Sequence, residues 1–232
     1  MSICIIPARS GSKRIKNKNI QKINGLPLIA ITIRIAKKSK LFKRIIVSTD
    51  CPKIALISKK YGAEVPFLRS KKLSDDFTPT HKVIIDTINQ IGSSKERFHF
   101  CIYPTSVLID ANDLKKTFLK IKKTKSNFIC PISKYDNNPH RSFFIKESNI
   151  YHNWPSFKMK RSQDLKHLYY DTGSFYIYRT SSILKMNKQN ILPKKSTYIF
   201  LNKKLIDINY PEDLVLVKKI FKEKNNNYAF RQ

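Results

Sequence analysis

The residues best suited to chemistry form a basic loop that follows the first apolar segment of the chain. Ser10, Gly11 and Ser12 are small, so their backbone N–H groups can approach an anion closely. The same loop places five cations within ten residues: Arg9, Lys13, Arg14, Lys16 and Lys18. This combination predicts a cradle for a triphosphate, although the Walker A and G-x-G-x-x-G spacings are both absent. Charge alone leaves a solvated basic loop open as the alternative.

A carboxylate near the other end of the chain is the second candidate. Asp207 ends an apolar segment that precedes a predicted helix. A hard cation such as Mg²⁺ needs carboxylate oxygens near the phosphates that it neutralises, so Asp207 is a candidate metal ligand. An N-terminal cap for the following helix is the alternative, and the residue pattern does not separate the two.

A third polar group surrounds Tyr169 and Tyr170. Its members are Arg161, Gln163, Asp164 and Asp171. Because an apolar strand follows at once, these side chains can line a ligand pocket, although a surface loop would have the same composition. The histidines show no metal-ligand spacing and the cysteines no C-x-x-C pair, so no zinc site is expected.

Strand-like and helix-like segments alternate along the chain, which predicts a mostly parallel sheet in a three-layer α/β fold. The predicted strands are residues 3–7, 44–49, 65–68, 99–103, 128–132, 175–178, 198–201 and 205–208. The predicted helices are residues 26–38, 52–61, 82–91, 110–123 and 211–224. Such sheets bind ligands beyond the carboxyl ends of their strands. The loops that start at Ala8, Asp50, Pro104 and Ser133 are therefore expected at one ligand-binding edge.

The length of 232 residues, 41% of them hydrophobic, suits a single domain over residues 1–232. The alternation breaks over residues 134–162, which we interpret as an inserted arm for dimerisation containing a hairpin around Glu147 and Ser148. Residues 225–232 are expected to form a loose tail. No apolar run is long enough to cross a bilayer or to form a signal peptide, so we expect a cytoplasmic protein without a membrane partner.

The charge is strongly basic, with 46 Lys and Arg against 16 Asp and Glu, a formal net charge of +30. A basic surface attracts nucleic acid, so a nucleic-acid-binding protein on an α/β scaffold is an alternative function of a different class. The lysines are scattered over almost every segment rather than clustered with aromatic residues. We therefore expect anionic small-molecule substrates and no specific nucleic acid.

Short motifs run through nearly the whole chain in a fixed order. They are Ala8-Arg9 with Ser12-Lys13, Lys18-Asn19, Asn24-Gly25 with Pro27-Leu28, Val47 to Asp50, Leu68-Arg69, Leu73 to Asp76, Pro104 to Ser106, and Asp207-Ile208 with Glu212 to Leu214. Together they resemble the acylneuraminate cytidylyltransferases, the CMP-sialic acid synthetase family.

Two further motifs are similar to a sub-branch, the pseudaminic acid cytidylyltransferases. They are Pro139 with Arg141 to Phe143, and Gln163 to Lys166 with Leu168, Tyr169, Asp171 and Gly173. Tyr103 stands where the sialic acid branch usually has Gln, and Ser162 where it has a second Arg. Asn209 stands where the family typically has a second metal-binding Asp, so it offers a carbonyl oxygen without charge.

The resemblance implies a Rossmann-like three-layer α/β/α nucleotidyltransferase that forms a homodimer through its arm. It implies CTP as the donor of CMP, a nine-carbon acidic sugar as the acceptor, and Mg²⁺ or another divalent cation as cofactor, with pyrophosphate released. Pseudaminic acid is the expected sugar. N-acetylneuraminic, legionaminic and keto-deoxy-octulosonic acids are the alternatives within the family.

The resemblance also implies roles for single residues. Catalysis is expected of Arg9, Lys18 and Asp207, and metal binding of Asp207 and Asn209. Nucleotide contacts are expected of Ala8, Arg9, Ser12, Lys13, Lys18, Asn19, Arg69 and Thr80. Sugar contacts are expected of Tyr103, Thr105, Ser106, Arg141, Arg161, Gln163 and Asp171. No general base is identified.

Overall fold

The structure is a computed structural model that describes residues 2–187 and 192–229. The chain divides into two compact units. The larger unit is built from both ends of the chain, Met1–Pro131 and Thr172–Gln232, and the smaller from Ile132–Asp171. The arm predicted over residues 134–162 lies within the smaller unit.

Strands and helices alternate along parts of the chain, but two α-helices follow one another between residues 52 and 90, where the sequence predicts an intervening strand. The strands are β1 (Ser2–Pro7), β2 (Lys22–Ile23), β3 (Leu26–Pro27), β4 (Phe42–Ser48), β5 (Phe98–Ile102), β6 (Phe128–Lys134), β7 (Phe143–Lys146), β8 (Asn149–His152), β9 (Tyr169–Asp171), β10 (Phe175–Arg179) and β11 (Ser196–Ile199). The helices are α1 (Leu28–Ser39), α2 (Pro52–Lys60), α3 (Thr80–Gln90), α4 (Ala111–Thr124), α5 (Thr180–Ile183) and α6 (Pro211–Ala229). None of the helices in the described ranges is both long enough and apolar enough to span a membrane.

The sheet of the larger unit has the strand order β11-β6-β10-β5-β1-β4. β1 pairs in parallel with β4 and with β5, and β11 pairs in parallel with β6. β10 is the exception, because it runs antiparallel to both β5 and β6. The prediction of a mostly parallel sheet is therefore confirmed.

The strand directions gather several loops at one edge of this sheet. Because β1, β4 and β5 are parallel, the loops that follow Pro7, Ser48 and Ile102 all leave the same edge. β10 runs the opposite way, and its first residue, Phe175, pairs with Ile102. The segment 172–174, which enters β10, therefore reaches that edge as well.

Side-chain alternation in β1 divides the core between the two faces of the sheet. Ile3 and Ile5 pack with Ile84 of α3 on one face. Cys4 and Ile6 belong to the larger cluster on the other face, which includes buried residues of α1 and α4. Burying one such aliphatic side chain stabilises the fold by about 2 kcal/mol, so β1 anchors both helical layers.

Helix α4 begins where the sequence predicts a cap. The carboxylate of Asp110 accepts hydrogen bonds from the backbone N–H groups of Asn112 and Asp113. Asp113 in turn accepts from the backbone N–H of Asp110, which completes a capping box. Such a cap stabilises a helix by about 1 kcal/mol and defines its first residue.

The predicted strand at residues 65–68 is wrong. This segment follows the edge of β4 through isolated bridges, from Glu64 to Ile46 and from Leu68 to Thr49. Pro66 lies between the two bridges and has no N–H to donate, which interrupts the ladder.

The predicted strand at residues 205–208 is also wrong, since the segment is a loop. Leu205 and Ile208 are buried and Asp207 is exposed, so the buried positions are three residues apart and do not follow the two-residue period of a strand. Helix α6 continues to Ala229 instead of ending at residue 224. The tail predicted for residues 225–232 thus starts as helix, and 230–232 lie outside the described residues.

The smaller unit contains the predicted hairpin. β7 and β8 pair antiparallel, with Phe143 opposite His152. Glu147 and Ser148, which connect them, have φ angles of 49° and 64°. Two consecutive left-handed residues are the geometry of a two-residue hairpin turn, so the prediction is confirmed.

Candidate active site

The basic loop after β1 is fixed to its surroundings at several points. Ser10 donates from its backbone N–H and from Oγ to the two carboxylate oxygens of Asp50, at 2.8 and 2.6 Å. Asn19 is buried and donates its side-chain amide to the carbonyl of Arg9 at 2.9 Å. Ala8 is fully buried where the loop leaves the strand. The cations of this loop therefore project from a defined backbone.

A cleft of about 580 Å³ opens beside the loop, and its lining includes Arg9, Ser12 and Lys13 from the predicted nucleotide site. Arg9 Nη1 and Lys13 Nζ each lie 2.6 Å from an oxygen of the Asp76 carboxylate. Hydrogen bonds from Lys13 and then from Arg9 lower the pKa of Asp76. Two of the predicted phosphate-binding cations therefore converge on one anionic group.

Arg69 is buried next to this cleft's lining. Only 5% of its surface is exposed, and its Nε donates to Oγ of Ser74 at 3.1 Å. Its Nη2 is buried without a hydrogen-bond partner. Burial lowers the pKa of Arg69, whereas the carboxylate of Asp50 acts in the opposite direction. An unsatisfied buried donor is costly, so this guanidinium is well suited to meet an acceptor on a ligand.

Lys18 joins the basic loop to the segment that precedes α6. Its Nζ donates to the carbonyl of Ile208 at 2.7 Å. Partial burial lowers the pKa of Lys18, and the carboxylate of Asp207 is the strongest of the groups that raise it. The structure thus brings together Lys18 and Asp207, two of the three residues predicted to be catalytic.

Asp207 is held on one side by a side-chain amide. Asn209 Nδ2 donates to Oδ2 of Asp207 at 2.8 Å. The amide oxygen of Asn209 does not face the carboxylate but accepts from Nη2 of Arg14 at 3.1 Å. Asn209 therefore lies beside Asp207, as predicted, yet it presents a donor to that residue rather than a second oxygen for a cation.

The acidic groups of the site cannot enclose a metal ion by themselves. Over residues 2–187 and 192–229, no group of three or more His, Cys, Asp or Glu side chains is placed to hold one. Asp207 is exposed, however, and Mg²⁺ commonly takes one or two carboxylates together with substrate phosphates and water. The residues present fit a cation of that kind.

A second group of predicted residues lies where β5 ends. Tyr103 Oη and Thr80 Oγ1 are 2.8 Å apart and share a hydrogen bond. Thr105 and Ser106 are buried, and Ser106 Oγ donates to the carbonyl of Ser174. The larger unit therefore places these four predicted residues on the edge that also carries the basic loop.

The smaller unit holds the other residues predicted to contact the sugar. Arg141 donates to the carbonyls of Lys158, at 3.1 Å, and Lys160. Arg161 forms an ion pair with Asp164 at 2.7 Å. The remaining two, Gln163 and Asp171, are exposed. Within this unit, both arginines stabilise the local chain, so contact with a sugar stays a prediction for all four.

Three residues of the site were not predicted as site residues. Asp50 anchors Ser10, Asp76 pairs with two cations, and Gly173 has its Cα against Asp207. Asp50 ends an apolar strand at the ligand-binding edge, which is a signal that the sequence does contain. The partners of Asp76 depend on the folding of distant loops, and the motif that contains it gave no indication of them.

Comparison with known proteins identifies the family to which the chain is similar. A family model described as cytidylyltransferase matches residues 3–232. The chain is 34% identical over 232 residues to a pseudaminic acid cytidylyltransferase of Campylobacter jejuni. The alignment covers 99% of each protein. It is 30% identical over 227 residues to a CMP-N,N'-diacetyllegionaminic acid synthase of Legionella pneumophila. That alignment covers 94% of this chain and 95% of the relative.

The fold has solved counterparts. A CMP:2-keto-3-deoxy-manno-octonic acid synthetase, solved in complex with CTP, superposes with a TM-score of 0.71 at 13% identity. The match covers 96% of this chain and 99% of that one. At this identity the likeness concerns the fold, and it agrees with the Rossmann-like nucleotidyltransferase architecture expected from the sequence.

Proposed function

This chain belongs to the cytidylyltransferase family, and from that premise we propose that it transfers CMP from CTP to the anomeric hydroxyl of pseudaminic acid, a nine-carbon acidic sugar. One observation carries the proposal at the site itself. Arg9 and Lys13 converge on a single carboxylate at 2.6 Å each, on the wall of a cleft beside the loop that follows β1. A triphosphate is an anion that such a pair would hold more firmly than a carboxylate.

The nucleotide residues follow from the same cleft. We assign phosphate contacts to Arg9, Lys13 and Lys18. Contacts to the rest of the nucleotide are assigned to Ala8, Ser12, Asn19, Arg69 and Thr80. The unpartnered Nη2 of Arg69 supports this assignment, because a nucleotide oxygen or ring nitrogen would satisfy it.

The reaction consists of one substitution at phosphorus. The anomeric oxygen of the sugar forms a bond to the α-phosphorus of CTP, the bond from that phosphorus to the β-bridging oxygen breaks, and pyrophosphate leaves while the hydroxyl proton passes to solvent or to a base. Positioning and charge neutralisation supply most of the catalysis in such transfers. Lys18 would stabilise charge that builds on the phosphates, since its ammonium lies between the loop and the Asp207 segment.

We propose that a divalent cation, with Mg²⁺ as the first candidate, is held by Asp207 and by substrate phosphates. When bound, the cation would neutralise part of the triphosphate charge. The exposed carboxylate of Asp207 beside Lys18 supports this role.

Sugar recognition is assigned to residues of each unit separately. In the larger unit they are Tyr103, Thr105 and Ser106, and in the smaller unit Arg141, Arg161, Gln163 and Asp171. The ring of Tyr103 would suit the deoxy and acylamino groups of pseudaminic acid, because it offers an apolar face and one hydroxyl.

We also propose a homodimer that acts in the cytoplasm, where CTP is available. The hairpin of the smaller unit exposes several apolar side chains: Phe143, Phe144, Ile145, Ile150 and Tyr151. Ile145 and Ile150 pair on one face of the hairpin and Phe144 and Tyr151 on the other, so each face offers exposed apolar side chains to a second copy of the chain. Sedimentation of the native chain and of Ile145→Lys tests the dimer, and cell fractionation tests the location.

The decisive experiment offers the protein CTP, Mg²⁺ and a panel of nine-carbon sugar acids, and identifies CMP-sugar by mass. We expect CMP-pseudaminic acid and pyrophosphate, with loss of turnover in excess chelator and little turnover of ATP. Preferred turnover of a legionaminic acid would agree with the cytidylyltransferase family but contradict pseudaminic acid as the acceptor sugar. Salt-sensitive binding of unrelated oligonucleotides without pyrophosphate release would instead support the nucleic-acid alternative.

A further inference from the structure

Arg14, Asn209 and Asp207 form a chain of hydrogen bonds in which each direction is defined. Arg14 Nη2 donates to Oδ1 of Asn209 at 3.1 Å, and Asn209 Nδ2 donates to Oδ2 of Asp207 at 2.8 Å. The reverse amide orientation would set two donors against each other at Arg14 and two acceptors at Asp207. Because a guanidinium has no acceptor and a carboxylate no donor, only the observed orientation satisfies both neighbours.

The members of this chain are also held from outside it. The guanidinium of Arg14 lies 4.9 Å from the ring centroid of Tyr210, a cation–π distance. The backbone N–H groups of Asn209 and Tyr210 both donate to Oδ2 of Asp213, each at 2.8 Å. The position of Asn209 is therefore set by its backbone, and the orientation of its amide by Arg14 on one side and Asp207 on the other.

We propose that Arg14 is a positioning residue that keeps Asn209 as a hydrogen-bond donor to Asp207, so that Asp207 offers a single carboxylate oxygen, Oδ1, to the divalent cation. The proposal rests on the proposed function, since it concerns the cation that accompanies CTP. It gives Asn209 the role of orienting Asp207 and removes it from the metal ligands.

The role of Arg14 changes what a second carboxylate at residue 209 would do. On charge alone, Asn209→Asp should tighten a hard cation, because it adds an anionic oxygen beside Asp207. With Arg14 within hydrogen-bond distance, the new carboxylate instead forms an ion pair with the guanidinium and is drawn away from the cation. The gain in metal affinity is therefore expected only where Arg14 is absent.

The test is a double-mutant cycle read through metal binding, without turnover. Mn²⁺ is titrated into the full chain with saturating CTP and no sugar, and water-proton relaxation enhancement reports metal bound to the protein. The variants are Asn209→Asp, Arg14→Ala and their combination. Lys22→Ala, alone and combined with Asn209→Asp, is the matched control, since Lys22 is an exposed cation close in sequence that does not line the cleft. Thermal unfolding verifies each fold, and Arg14→Gln replaces any Arg14→Ala protein that does not fold.

We expect Asn209→Asp to change the Mn²⁺ dissociation constant by less than about threefold in the native and Lys22→Ala backgrounds. In the Arg14→Ala background the same substitution should lower it by about tenfold. Equal tightening in all three backgrounds would overturn the positioning role and leave the proposed function intact. Absence of any CTP-dependent enhancement with the native chain would overturn the proposed function, and this inference with it.

Discussion

The Cα of Gly173 lies against the carboxylate of Asp207. Gly173 has a φ of +60°, and a β-carbon added to it would come 3.1 Å from Oδ2 and 3.2 Å from Cγ of Asp207. Any other residue at this position must therefore adopt a left-handed backbone and also shift the carboxylate by a few tenths of an ångström.

Gly173→Ala should consequently lower kcat about tenfold or more, because it moves the proposed cation ligand out of position. Gly92→Ala is the matched control: Gly92 has a φ of +65°, but nothing lies within 4 Å of its added β-carbon. Both variants should lose on the order of 1 kcal/mol of stability through backbone strain. Equal activity losses in the two would show that strain, and not the contact with Asp207, is responsible.

Asp76→Asn should strengthen CTP binding, because the carboxylate of Asp76 competes with the triphosphate for Arg9 and Lys13. The pairs are partly exposed, so a gain of about threefold in affinity is expected. Asp75→Asn removes the same charge from a neighbour that accepts from the backbone of Phe77 and Thr78, and it should have a smaller effect. Calorimetric titration with CTP measures both, and weaker binding by Asp76→Asn would contradict the competition.

Lys18→Ala should reduce kcat about 10²-fold, since it removes one cation that stabilises charge developing in the transition state. Lys22→Ala is the control, because Lys22 is an exposed lysine of β2 close in sequence. Steady-state rates are compared after circular dichroism confirms the fold of both variants. Near-normal turnover in Lys18→Ala would contradict the catalytic role and leave this lysine only the structural contact with the Ile208 carbonyl.

Tyr103→Gln should move the preference from pseudaminic toward N-acetylneuraminic acid by about tenfold in the ratio of kcat/KM values. The substitution replaces an aromatic face by a polar amide. Tyr103→Phe keeps the face and loses the hydrogen bond to Thr80, so it should retain the native preference. If the native protein already prefers N-acetylneuraminic acid, the choice of sugar is wrong and the family remains.

Stability should fall between pH 6.5 and pH 4 because of His99. This residue is fully buried on β5 between Oγ of Ser93 and Oγ1 of Thr180, at 2.9 and 2.8 Å. Burial lowers its pKa to about 4. The unfolded chain, with a histidine pKa of about 6.5, binds a proton in this range that the folded chain does not.

The contribution of neutral His99 to the free energy of unfolding is therefore fully present above about pH 6.5 and is lost as the pH falls to about 4. The total loss is on the order of 3 kcal/mol. Urea unfolding of the native chain and of His99→Gln across this range measures it. A pH dependence that is the same in both proteins would assign the effect to other groups.

The sequence predicts elements well where local signals are strong. The Asp110 cap and the turn at Glu147 and Ser148 each need only a few adjacent residues, and both predictions are confirmed. The errors at residues 65–68 and 205–208 have different causes. Residues 65–68 lie along β4, but Pro66 interrupts the pairing. Residues 205–208 form a short apolar run, and strand formation depends on a partner that such a run does not specify.

In the candidate active site, too, features that depend on adjacent residues can be predicted from the sequence, and features that depend on distant residues cannot. The basic loop is recognisable because its cations are adjacent in sequence. The pairing of Asp50 with Ser10 and of Asp76 with Arg9 depends on loops that the parallel strands bring together, so neither follows from local pattern. The orientation of the Asn209 amide cannot be predicted from nearby residues either, because it depends on Arg14, almost two hundred positions earlier in the chain.

The antiparallel placement of β10 has a consequence for how the protein is made. β10 lies between β5 and β6 and pairs Phe175 with Ile102, so the sheet is interrupted until this late strand arrives. The larger core cluster also needs Leu205 and Val217. Contacts between such distant positions slow folding. The core of the larger unit therefore closes only after these late segments have been made, and until then the edges of β5 and β6 that pair with β10 are open to unwanted pairing.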